Sequence, residues 1–555
     1  MSRVRVLLGP PGTGKTTALL GEVEKLLESG VRPAEIAFVS YTKAATMGAI
    51  DRACDRFGMD PAEFPFFRTI HSLAYQAMGE RAQVMKEPEW KDFGESCNYG
   101  FSETNEAEQF ALNFDGDGDC LRSIDSLART TRETVHQAML RCGDVPSHIS
   151  PEMVRAFRKR LWDWKVETGQ IDFTDMLEKA LSARWKPPVR FAFVDEAQDS
   201  NKLQNDLTRA WFIENPLCEE VTYAGDDDQQ IYGWSGAESG ALLKLALICQ
   251  NGSTLSAPDE HHRRYAENLT VLSHSWRVPK APHAVAQRII LQNKMRIEKE
   301  YSPVDRPGHV LHADGLRAAL GLLEEGSAFV LVRNNKYAKD MRDGCLAAGV
   351  HFRCENAEKS PLERKNSGGA FAAIAAWRTN SNATYSQFNS LVQCMPSTIG
   401  EEKKIILPRG VKTRAEENEE PVPLWRARDE FKLPKETLDS LTGQRPFELL
   451  QRGVSGAERE YMTRILHDGP THRGTITITS MHRSKGLERQ NVIVCSDMAN
   501  RTARNRDASY VAREEENCVA YVAVTRTLGT LVVLEPTEKN YYDYGFFAGK
   551  KRSRR

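Results

Sequence analysis

The chain has 555 residues, which corresponds to about three to four domains of roughly 150 residues each. Its 75 basic and 76 acidic residues give a formal net charge of −1, which excludes a wholly basic, histone-like nucleic-acid binder but leaves room for a local positive groove. Apolar residues make up 40% and charged residues 27%, so the composition excludes collagenous, disordered and disulfide-scaffold proteins.

The apolar runs of the chain are too short for a membrane span. The run 242–249 is interrupted by Lys244, and none approaches the ~18 residues that a spanning helix needs. The short apolar run at the N-terminus leads into a glycine-rich turn rather than a signal-peptide cleavage site. The 11 cysteines form neither a CxxC pair nor a cluster at zinc-ligand spacing. We therefore expect reduced thiols, no structural zinc and a cytoplasmic protein without membrane partners, nucleoid-associated if its source is a prokaryote or a phage.

Short apolar runs predict a series of buried strands, separated in most cases by helical patterns such as 16–27 and 199–212. The predicted strands are 4–8, 36–40, 189–194, 221–224, 328–332, 475–479 and 492–495. Strands that alternate with helices indicate parallel sheets covered on both faces. Because these strands are spread over most of the chain, we expect two sheets rather than one.

Two segments differ from this α/β framework and are interpreted as insertions. Residues 86–125 show weak periodicity, and residues 398–460 are strongly charged and contain prolines. The acidic run 115–119 (DGDGD) resembles part of a calcium loop but lacks the later glutamate of that motif. We therefore expect it to be a solvated acidic loop.

A phosphate-binding loop follows the first predicted strand. Residues 9–16 (GPPGTGKT) fit the pattern G-x-x-x-x-G-K-[ST], in which glycines turn backbone N–H groups toward phosphate oxygens at a helix N-terminus. Lys15 would reach the β- and γ-phosphates, and the Thr16 hydroxyl would ligate Mg²⁺. The predicted nucleotide contacts of this loop are Gly9, Pro10, Pro11, Gly12, Thr13, Gly14, Lys15, Thr16 and Thr17.

Two adjacent carboxylates, Asp195 and Glu196, follow the predicted strand at 190–194. Ligands of parallel sheets lie at the carboxyl ends of the strands, so Asp195 is placed to hold Mg²⁺ and Glu196 to orient and deprotonate an attacking water. The alternative is that two acids merely favour a helix start, where they complement the helix dipole. Their combination with the phosphate loop favours the catalytic interpretation.

Two longer blocks, VDEAQD at 194–199 and GDDDQQIYGWSGA at 225–237, resemble the UvrD/Rep-like superfamily 1A DNA helicases. Further blocks follow the order of that family, and the resemblance extends from residue 4 to about residue 535. These blocks are SYTKAAT at 40–46, TIHS at 69–72, DFTDML at 172–177, SWR at 275–277, TSMHRSKGLE at 479–488 and AYVAVTR at 520–526.

The resemblance implies an α/β fold with two RecA-like parallel-sheet P-loop domains, each carrying a mainly helical insertion. In this division, 1–80 and 172–270 form domain 1A, 81–171 form insertion 1B, 271–377 and 471–540 form domain 2A, 378–470 form a reduced insertion 2B, and 541–555 form an aromatic and basic C-terminal tail.

The resemblance also implies roles for residues outside the phosphate loop. Gln229 corresponds to the γ-phosphate sensor, Trp276 to a residue that stacks on adenine, and Glu488 to the ribose contact. Arg277 and Arg526 would act as fingers on the γ-phosphate and couple hydrolysis to domain closure. Considered without the resemblance, an arginine such as Arg526, in a helix over 521–527, is more often part of a surface salt bridge.

Single-stranded DNA requires a positive track with aromatic faces on which bases stack. Tyr41, Thr42, His71, Trp234 and His482 match such positions in the family. Taken alone, an aromatic residue at a strand end is more often a packing residue than a stacking platform. The predicted DNA-binding set therefore depends on the resemblance.

The implied function is an ATP-dependent 3′→5′ DNA helicase and single-stranded-DNA translocase that uses ATP and Mg²⁺. Its expected partners are single-stranded DNA, junctions of single- and double-stranded DNA, and proteins of replication or repair. Three features depart from the family: the adenine-reading glutamine segment is not among the three residues before the first strand, Ser235 replaces an arginine, and insertion 2B is short. Two alternatives stay open: a translocase that removes proteins without processive unwinding, and a nucleotide-switched DNA-binding loader.

Overall fold

The computed structural model describes residues 2–40, 43–79, 82–102, 116–142, 145–233, 236–238, 240–251, 268–355, 358–396, 420–431, 433–472 and 474–547. It divides into two compact units. Unit 1 comprises Met1–Arg306 and Arg501–Val522, and unit 2 comprises Pro307–Asn500 and Ala523–Arg555.

The strands are β1 Arg3–Leu8, β2 Ile36–Ser40, β3 Phe67–Thr69, β4 Gln83–Val84, β5 Gln170–Ile171, β6 Phe191–Asp195, β7 Glu220–Gly225, β8 Leu269–Val271, β9 His309–Ala313, β10 Ala328–Val332, β11 Phe352–Cys354, β12 Ala383–Thr384, β13 Pro421–Val422, β14 Ile476–Ser480, β15 Arg489–Val494 and β16 Thr527–Leu534.

The α-helices are α1 Lys15–Glu28, α2 Lys43–Phe57, α3 Ile70–Ala77, α4 Glu87–Cys97, α5 Asp117–Thr131, α6 Val135–Cys142, α7 Pro151–Thr168, α8 Phe173–Ser182, α9 Lys202–Thr208, α10 Ala241–Asn251, α11 Lys280–Ile290, α12 Leu316–Leu320, α13 Lys336–Ala348, α14 Lys365–Arg378, α15 Tyr385–Cys394, α16 Leu424–Asp429, α17 Lys435–Thr442, α18 Gly456–Asp468, α19 Asn500–Ala508 and α20 Tyr510–Val524. Short 3₁₀ turns cover Pro33–Glu35, Pro61–Glu63, Ala197–Asp199 and Asp227–Gln229, and a π-helical turn covers Arg209–Ile213.

Unit 1 contains a six-stranded sheet with the order β3-β2-β6-β7-β1-β8, in which every neighbouring pair is parallel. Leu8 pairs with Gly225, and Ser40 pairs with Asp195. The carboxyl ends of β1, β6 and β7 therefore meet at one edge of the sheet, where the fold brings the phosphate loop and the two acidic motifs together.

Unit 2 contains a second six-stranded parallel sheet with the order β11-β14-β10-β15-β16-β9. All five residues of β10 are buried, as expected for a central strand covered on both faces. The two parallel sheets confirm the predicted fold class of two RecA-like domains, and all seven predicted strands are present. The structure adds strands that the sequence analysis missed, of which β16 is the longest.

The insertion at 81–171 is mainly helical and has a buried cluster of its own, which includes Phe93, Leu121 and Phe157. The described residues of its weakly periodic part, 86–125, form α4 and the first part of α5. The prediction of a solvated acidic loop is wrong for the described part of that run, because Asp119 is only 4% exposed. Its carboxylate accepts hydrogen bonds from the backbone and hydroxyl of Ser102 and from Arg122, so it serves to hold the helix start.

The block at 172–177 attaches this insertion to the sheet of unit 1. The Asp172 side chain caps α8 by accepting from the Asp175 backbone at 2.6 Å. Arg129 of α5 and Lys165 of α7 lie 2.9 Å and 2.8 Å from an oxygen of Asp172, and Lys165 lies 2.6 Å from Asp175. Cations from two insertion helices therefore meet two carboxylates of α8 in a buried network.

Two predicted helices differ from the structure, one because it is interrupted and one because it ends early. The pattern at 199–212 is broken into a 3₁₀ turn, α9 and a π-helical turn. The helix expected over 521–527 ends at Val524, because β16 begins at Thr527. Arg526 therefore lies in the connection between α20 and β16, where it is buried. The alternative that Arg526 forms a surface salt bridge is thus wrong, because the residue is not at the surface.

The compact units divide the chain at positions that differ from the predicted domain boundaries. Residues 271–306 and 501–522 belong to unit 1. Residues 271–306 belong to unit 1 because their start is bonded to it: β8 pairs with β1, and the backbone N–H of Trp276 donates to the Gly12 carbonyl. The aromatic part of the predicted tail belongs to unit 2, where Tyr544 and Phe547 are buried; residues 548–555 lie outside the described part of the chain. Among the described helices, none combines the length and the apolar character that crossing a membrane requires.

Candidate nucleotide-binding site

The loop between β1 and α1 forms a backbone cradle that requires glycine. Gly12 and Gly14 have φ values of 76° and 83°, in the left-handed region that side chains disfavour. A Cβ on Gly9 would lie 2.4 Å from Lys15 Cγ. The Lys15 side chain is 8% exposed, and its Nζ donates to the Gly9 carbonyl at 2.8 Å. The loop thus folds around the amine that the sequence assigns to the phosphates.

The acidic strand end faces the first turn of α1. Thr16 Oγ1 donates to Asp195 Oδ2 at 2.7 Å, so both residues predicted to hold Mg²⁺ are in contact. Burial, with the neighbouring charge of Glu196 as the second cause, raises the pKa of Asp195 to about 6, against the opposing effects of Thr16 and Lys15. Hydroxyl and carboxylate oxygens are the ligands that Mg²⁺ prefers, and the pair therefore fits that ion.

Glu196 follows Asp195 in a left-handed conformation, with φ 53°, which turns its side chain out of the strand. Its Oε2 accepts from Gln198 Nε2 at 2.5 Å. Gln198 Oε1 in turn accepts from the backbone N–H of Asp226 at 3.1 Å. This approach depends on Gly225, where a Cβ would lie 2.3 Å from Gln198 Oε1.

The motif at 225–237 lies at the same edge of the sheet, after β7. Gln229 is buried, and its Nε2 donates to Asp226 Oδ2 at 2.8 Å. Gln198 and Asp226 therefore connect Glu196 with Gln229 by hydrogen bonds. Both connecting residues lie within the motifs at 194–199 and 225–237, but no role was predicted for either from the sequence.

The segment after β8 covers the outer side of the phosphate loop. Ser275 Oγ donates to the Pro11 carbonyl at 3.0 Å, and Tyr301 Oη donates to the same carbonyl at 2.9 Å. A Cβ on Gly12 would lie 2.4 Å from Arg277 Cβ. The Trp276 ring is 72% exposed, edge-on to His274 at a centroid distance of 4.9 Å. A solvent-open indole beside the cradle is available for stacking on a planar ligand.

Three predicted residues lie in unit 2. Arg526 is 1% exposed; its guanidinium donates to the Leu487 carbonyl at 3.4 Å and to the Thr525 hydroxyl at 3.1 Å. Glu488 is exposed and directly precedes β15, and His482 lies in the turn after β14. Glu488 and Arg526 therefore precede the neighbouring parallel strands β15 and β16 at the amino-terminal edge of the second sheet, whereas His482 follows the carboxyl end of β14.

Of the predicted DNA contacts, Tyr41, Thr42 and Trp234 lie outside the described residues. His71 is in the first turn of α3, where its ring stands edge-on to Phe173 at 5.8 Å. Burial lowers the pKa of His71 to about 4, so the imidazole is neutral near pH 7. Its contact with the DNA stays a prediction.

Two buried cations behind the site were missed by the sequence analysis. Lys299 and Arg296 contact the carboxylates of residues 226–228. They are separated from those aspartates by about seventy residues of sequence, and they belong to no motif that we recognised. No local sequence signal identifies such long-range pairs.

Comparisons with known proteins agree with this arrangement. The UvrD/REP helicase N-terminal domain family matches residues 2–247, and the UvrD-like helicase C-terminal domain family matches residues 462–535. The first match contains the phosphate loop and both acidic motifs, and the second contains Glu488 and Arg526. Together the two matches span more than half of the chain.

Individual relatives are distant. The ATP-dependent DNA helicase srs2 of Schizosaccharomyces pombe is 24% identical over 274 residues, which cover 43% of this chain and 29% of that protein. The ATP-dependent DNA helicase Rep of Escherichia coli is 24% identical over 265 residues, which cover 43% of this chain and 36% of that protein. The chain thus spans well under half of the length of these two curated relatives.

Among solved structures, "The structure of PRRSV helicase" covers 97% of this chain and 53% of the matched chain, at 10% identity and a TM-score of 0.29. A TM-score this low contributes nothing to the assignment. The two domain families match in the expected order, the first contains the residues that form the phosphate cradle, and the chain therefore belongs to the UvrD/Rep-like helicase family.

Proposed function

We propose that the chain is an ATP-dependent DNA helicase that translocates 3′→5′ along single-stranded DNA. The observation that carries this proposal is the contact between Thr16 and Asp195 together with the hydrogen-bonded path from Glu196 to Gln229. A P-loop ATPase needs a phosphate cradle, oxygen ligands for Mg²⁺, a base for water and a group that senses the γ-phosphate. Unit 1 holds candidates for all four.

ATP and Mg²⁺ fit the residues present. The glycine cradle would receive the phosphates, Lys15 would exchange its bond to the Gly9 carbonyl for phosphate oxygens, and Thr16 and Asp195 would hold the metal ion. Bound Mg²⁺ would supply charge neutralisation at the phosphates. Glu196 would then orient the attacking water and accept its proton.

The proposal extends to the DNA track. His71, His482, Tyr41, Thr42 and Trp234 are proposed contacts, and the neutral imidazole of His71 suits stacking better than phosphate pairing. The 3′→5′ polarity, the protein partners in replication or repair, and the role of Glu488 rest on the family resemblance.

The test is an unwinding assay with duplexes that carry either a 3′ or a 5′ single-stranded tail, in the presence of ATP and Mg²⁺. We expect strand displacement from the 3′-tailed substrate only. Glu196→Gln provides the matched control, because it is nearly isosteric, keeps the hydrogen-bond acceptor for Gln198 and removes the base. Unwinding of only the 5′-tailed duplex would overturn the polarity, and unwinding by Glu196→Gln would overturn the catalytic assignment.

A second candidate is a translocase that removes proteins from single strands without processive unwinding. The observation that favours it is the packing of the second insertion: Phe388 and Phe447 belong to the same buried cluster as Val330 and Phe352 of the unit 2 sheet. Among the described residues, the second insertion therefore shares a hydrophobic core with the unit 2 sheet and does not have a separate core of its own. Displacement of streptavidin from a 5′-biotinylated oligonucleotide, without unwinding of a 3′-tailed duplex, would select this candidate.

A further inference from the structure

The three aspartates 226–228 surround a buried lysine. One carboxylate oxygen from each aspartate lies within 4.8 Å of those from the other two, a spacing that needs a positive charge. Lys299 supplies it: its side chain is 1% exposed, and its Nζ lies 3.1 Å from Asp226 Oδ1, 3.0 Å from Asp228 Oδ2 and in contact with Asp227. Burial alone would lower the pKa of Lys299, but the three carboxylates outweigh burial and raise it. The ammonium is therefore a permanent internal cation.

A second cation fixes the same segment. Arg296 forms a two-pronged ion pair with Asp228, with Nε 2.8 Å from Oδ1 and Nη2 2.7 Å from Oδ2. The backbone N–H of Ile297 donates to Asp227 Oδ2 at 2.8 Å. The loop at 296–299 is thus tied to the aspartate run at several points, but only Lys299 reaches Asp226 among the described residues of this loop.

The two carboxylate oxygens of Asp226 have different partners, one on the side of this cation and one on the side of the candidate ATP site. Oδ1 faces Lys299 and also accepts from the Asp228 backbone N–H at 3.3 Å, and Oδ2 accepts from Gln229 Nε2 at 2.8 Å. The backbone N–H of Asp226 donates to Gln198, which donates to Glu196. Gln229 therefore takes its orientation from the carboxylate that Lys299 contacts, and Gln198 from the backbone of the same aspartate.

We propose that Lys299 is a positioning residue for ATP hydrolysis, whose ammonium holds Asp226 in the orientation that Gln229 needs at the γ-phosphate. The inference rests on the proposed function, because it takes Gln229 as the γ-phosphate sensor. Lys299 itself touches no nucleotide in this proposal. Without its charge, adjacent buried carboxylates would repel each other, and one of them would move or take up a proton.

The sharpest test is a pair of isosteric variants. In Asp226→Asn, one amide oxygen must serve three donors, which are the Asp228 backbone N–H and Lys299 on one side and Gln229 on the other. The charged ammonium makes the stronger hydrogen bond, so the new NH₂ group would face the NH₂ group of Gln229 and displace it. Asp227→Asn is the matched control, since it removes the same charge from the same cluster without touching Gln229.

Two readouts are needed: kcat for DNA-stimulated ATP hydrolysis, and the equilibrium affinities for ADP and for a non-hydrolysable ATP analogue. For Asp226→Asn we expect kcat to fall by about tenfold to a hundredfold. This fall is smaller than the one that follows complete removal of a preorganised hydrogen-bond donor, because Gln229 is displaced but still present. We also expect weaker binding of the ATP analogue with ADP affinity unchanged, because only the analogue carries a γ-phosphate. Asp227→Asn should behave like the wild-type protein in both assays. Equal effects of the two variants would overturn the proposal.

Lys299→Met provides an independent check through a double-mutant cycle with Gln229→Ala. If Lys299 acts through Gln229, the double variant hydrolyses ATP no more slowly than Gln229→Ala alone, whereas additive losses would contradict the proposal. Should Lys299→Met fail to fold, the Asp226→Asn and Asp227→Asn pair decides the matter. If the wild-type protein hydrolyses no ATP, the proposed function fails, but the affinity comparison still tests the positioning role.

Discussion

Thr16 Oγ1 lies 2.7 Å from Asp195 Oδ2, although the two residues are 179 positions apart in the sequence. The contact joins the first turn of α1 to the carboxyl end of β6. Two oxygen ligands of the kind that Mg²⁺ prefers are therefore assembled by the sheet itself, since β6 and β1 are each paired with β7. Preorganisation of this pair has a measurable consequence.

Thr16→Val removes the hydroxyl with little change in volume. We expect the Mg²⁺ concentration for half-maximal ATPase activity to rise by about tenfold or more, the loss typical of a perturbed metal site. Thr168→Val, the same change at the end of α7 in the insertion, serves as the control and should leave the Mg²⁺ dependence unchanged. An unaltered Mg²⁺ titration for Thr16→Val would remove Thr16 from the metal site.

The exposed indole of Trp276 leads to a prediction about nucleotide affinity. Stacking on adenine contributes about 1–3 kcal/mol, the range measured for bases on aromatic side chains, so Trp276→Ala should raise the KM for ATP by about five- to a hundredfold. kcat should change little, because adenine does not take part in the reaction. Trp162→Ala removes an indole that is 58% exposed on α7 and is the matched control. A fall in kcat with an unchanged KM would show that Trp276 supports the fold of the loop instead.

Long motifs and long apolar runs made much of this fold predictable. The phosphate loop and Asp195 could be placed because the loop follows β1, and Asp195 ends β6, strands of six and five residues with a largely buried apolar pattern. β3, β8 and β11 have three residues each, too few for a periodicity. β16 was missed because Gly529 interrupts its pattern; a Cβ there would lie 2.4 Å from Gln490 Nε2, so close strand contact accounts for the glycine.

The site itself was only partly predictable, for a different reason. Motif residues such as Lys15 and Glu196 are recognised by their immediate neighbours in the sequence. Lys299 contacts Asp226 across a tertiary fold, and its charge looks like any surface lysine in the sequence. A buried cation becomes visible only when the structure shows three carboxylates around it.

His71 gives a prediction about pH. Burial lowers its pKa from 6.5 to about 4 in the folded protein. Between these values the unfolded chain binds a proton that the folded chain does not, so the stabilisation due to neutral His71 is fully present above pH 6.5 and is lost as the pH falls toward 4.

The measurement is the midpoint of thermal unfolding as a function of pH. His71→Gln cannot titrate, and we expect its Tm to fall less than that of the wild-type protein between about pH 7 and pH 5, where the unfolded imidazole takes up its proton. His136→Gln alters an exposed histidine of α6 and should reproduce the wild-type profile. A His71→Gln profile parallel to that of the wild type would contradict the assigned pKa shift.

The two candidate arginine fingers differ in their surroundings, and their variants should differ accordingly. Arg277 lies beside Gly12 in the phosphate-loop unit, whereas Arg526 is buried in unit 2. If both meet charge that develops late on the γ-phosphate, Arg277→Ala and Arg526→Ala should each lower kcat by at least about a hundredfold. Affinity for ADP should change much less, because ADP lacks that phosphate.

A buried arginine can also lower kcat merely by destabilising the fold, so Arg526 needs a second variant. Arg526→Lys keeps the positive charge but loses the planar fork that donates to the Leu487 carbonyl and the Thr525 hydroxyl. For a finger, we expect Arg526→Lys to keep the wild-type ADP affinity while kcat, measured well below the Tm of the variant, falls by at least about tenfold, since a point charge replaces a two-pronged contact. If kcat falls only in step with Tm across both variants, Arg526 supports the fold, and the finger role belongs to Arg277 alone.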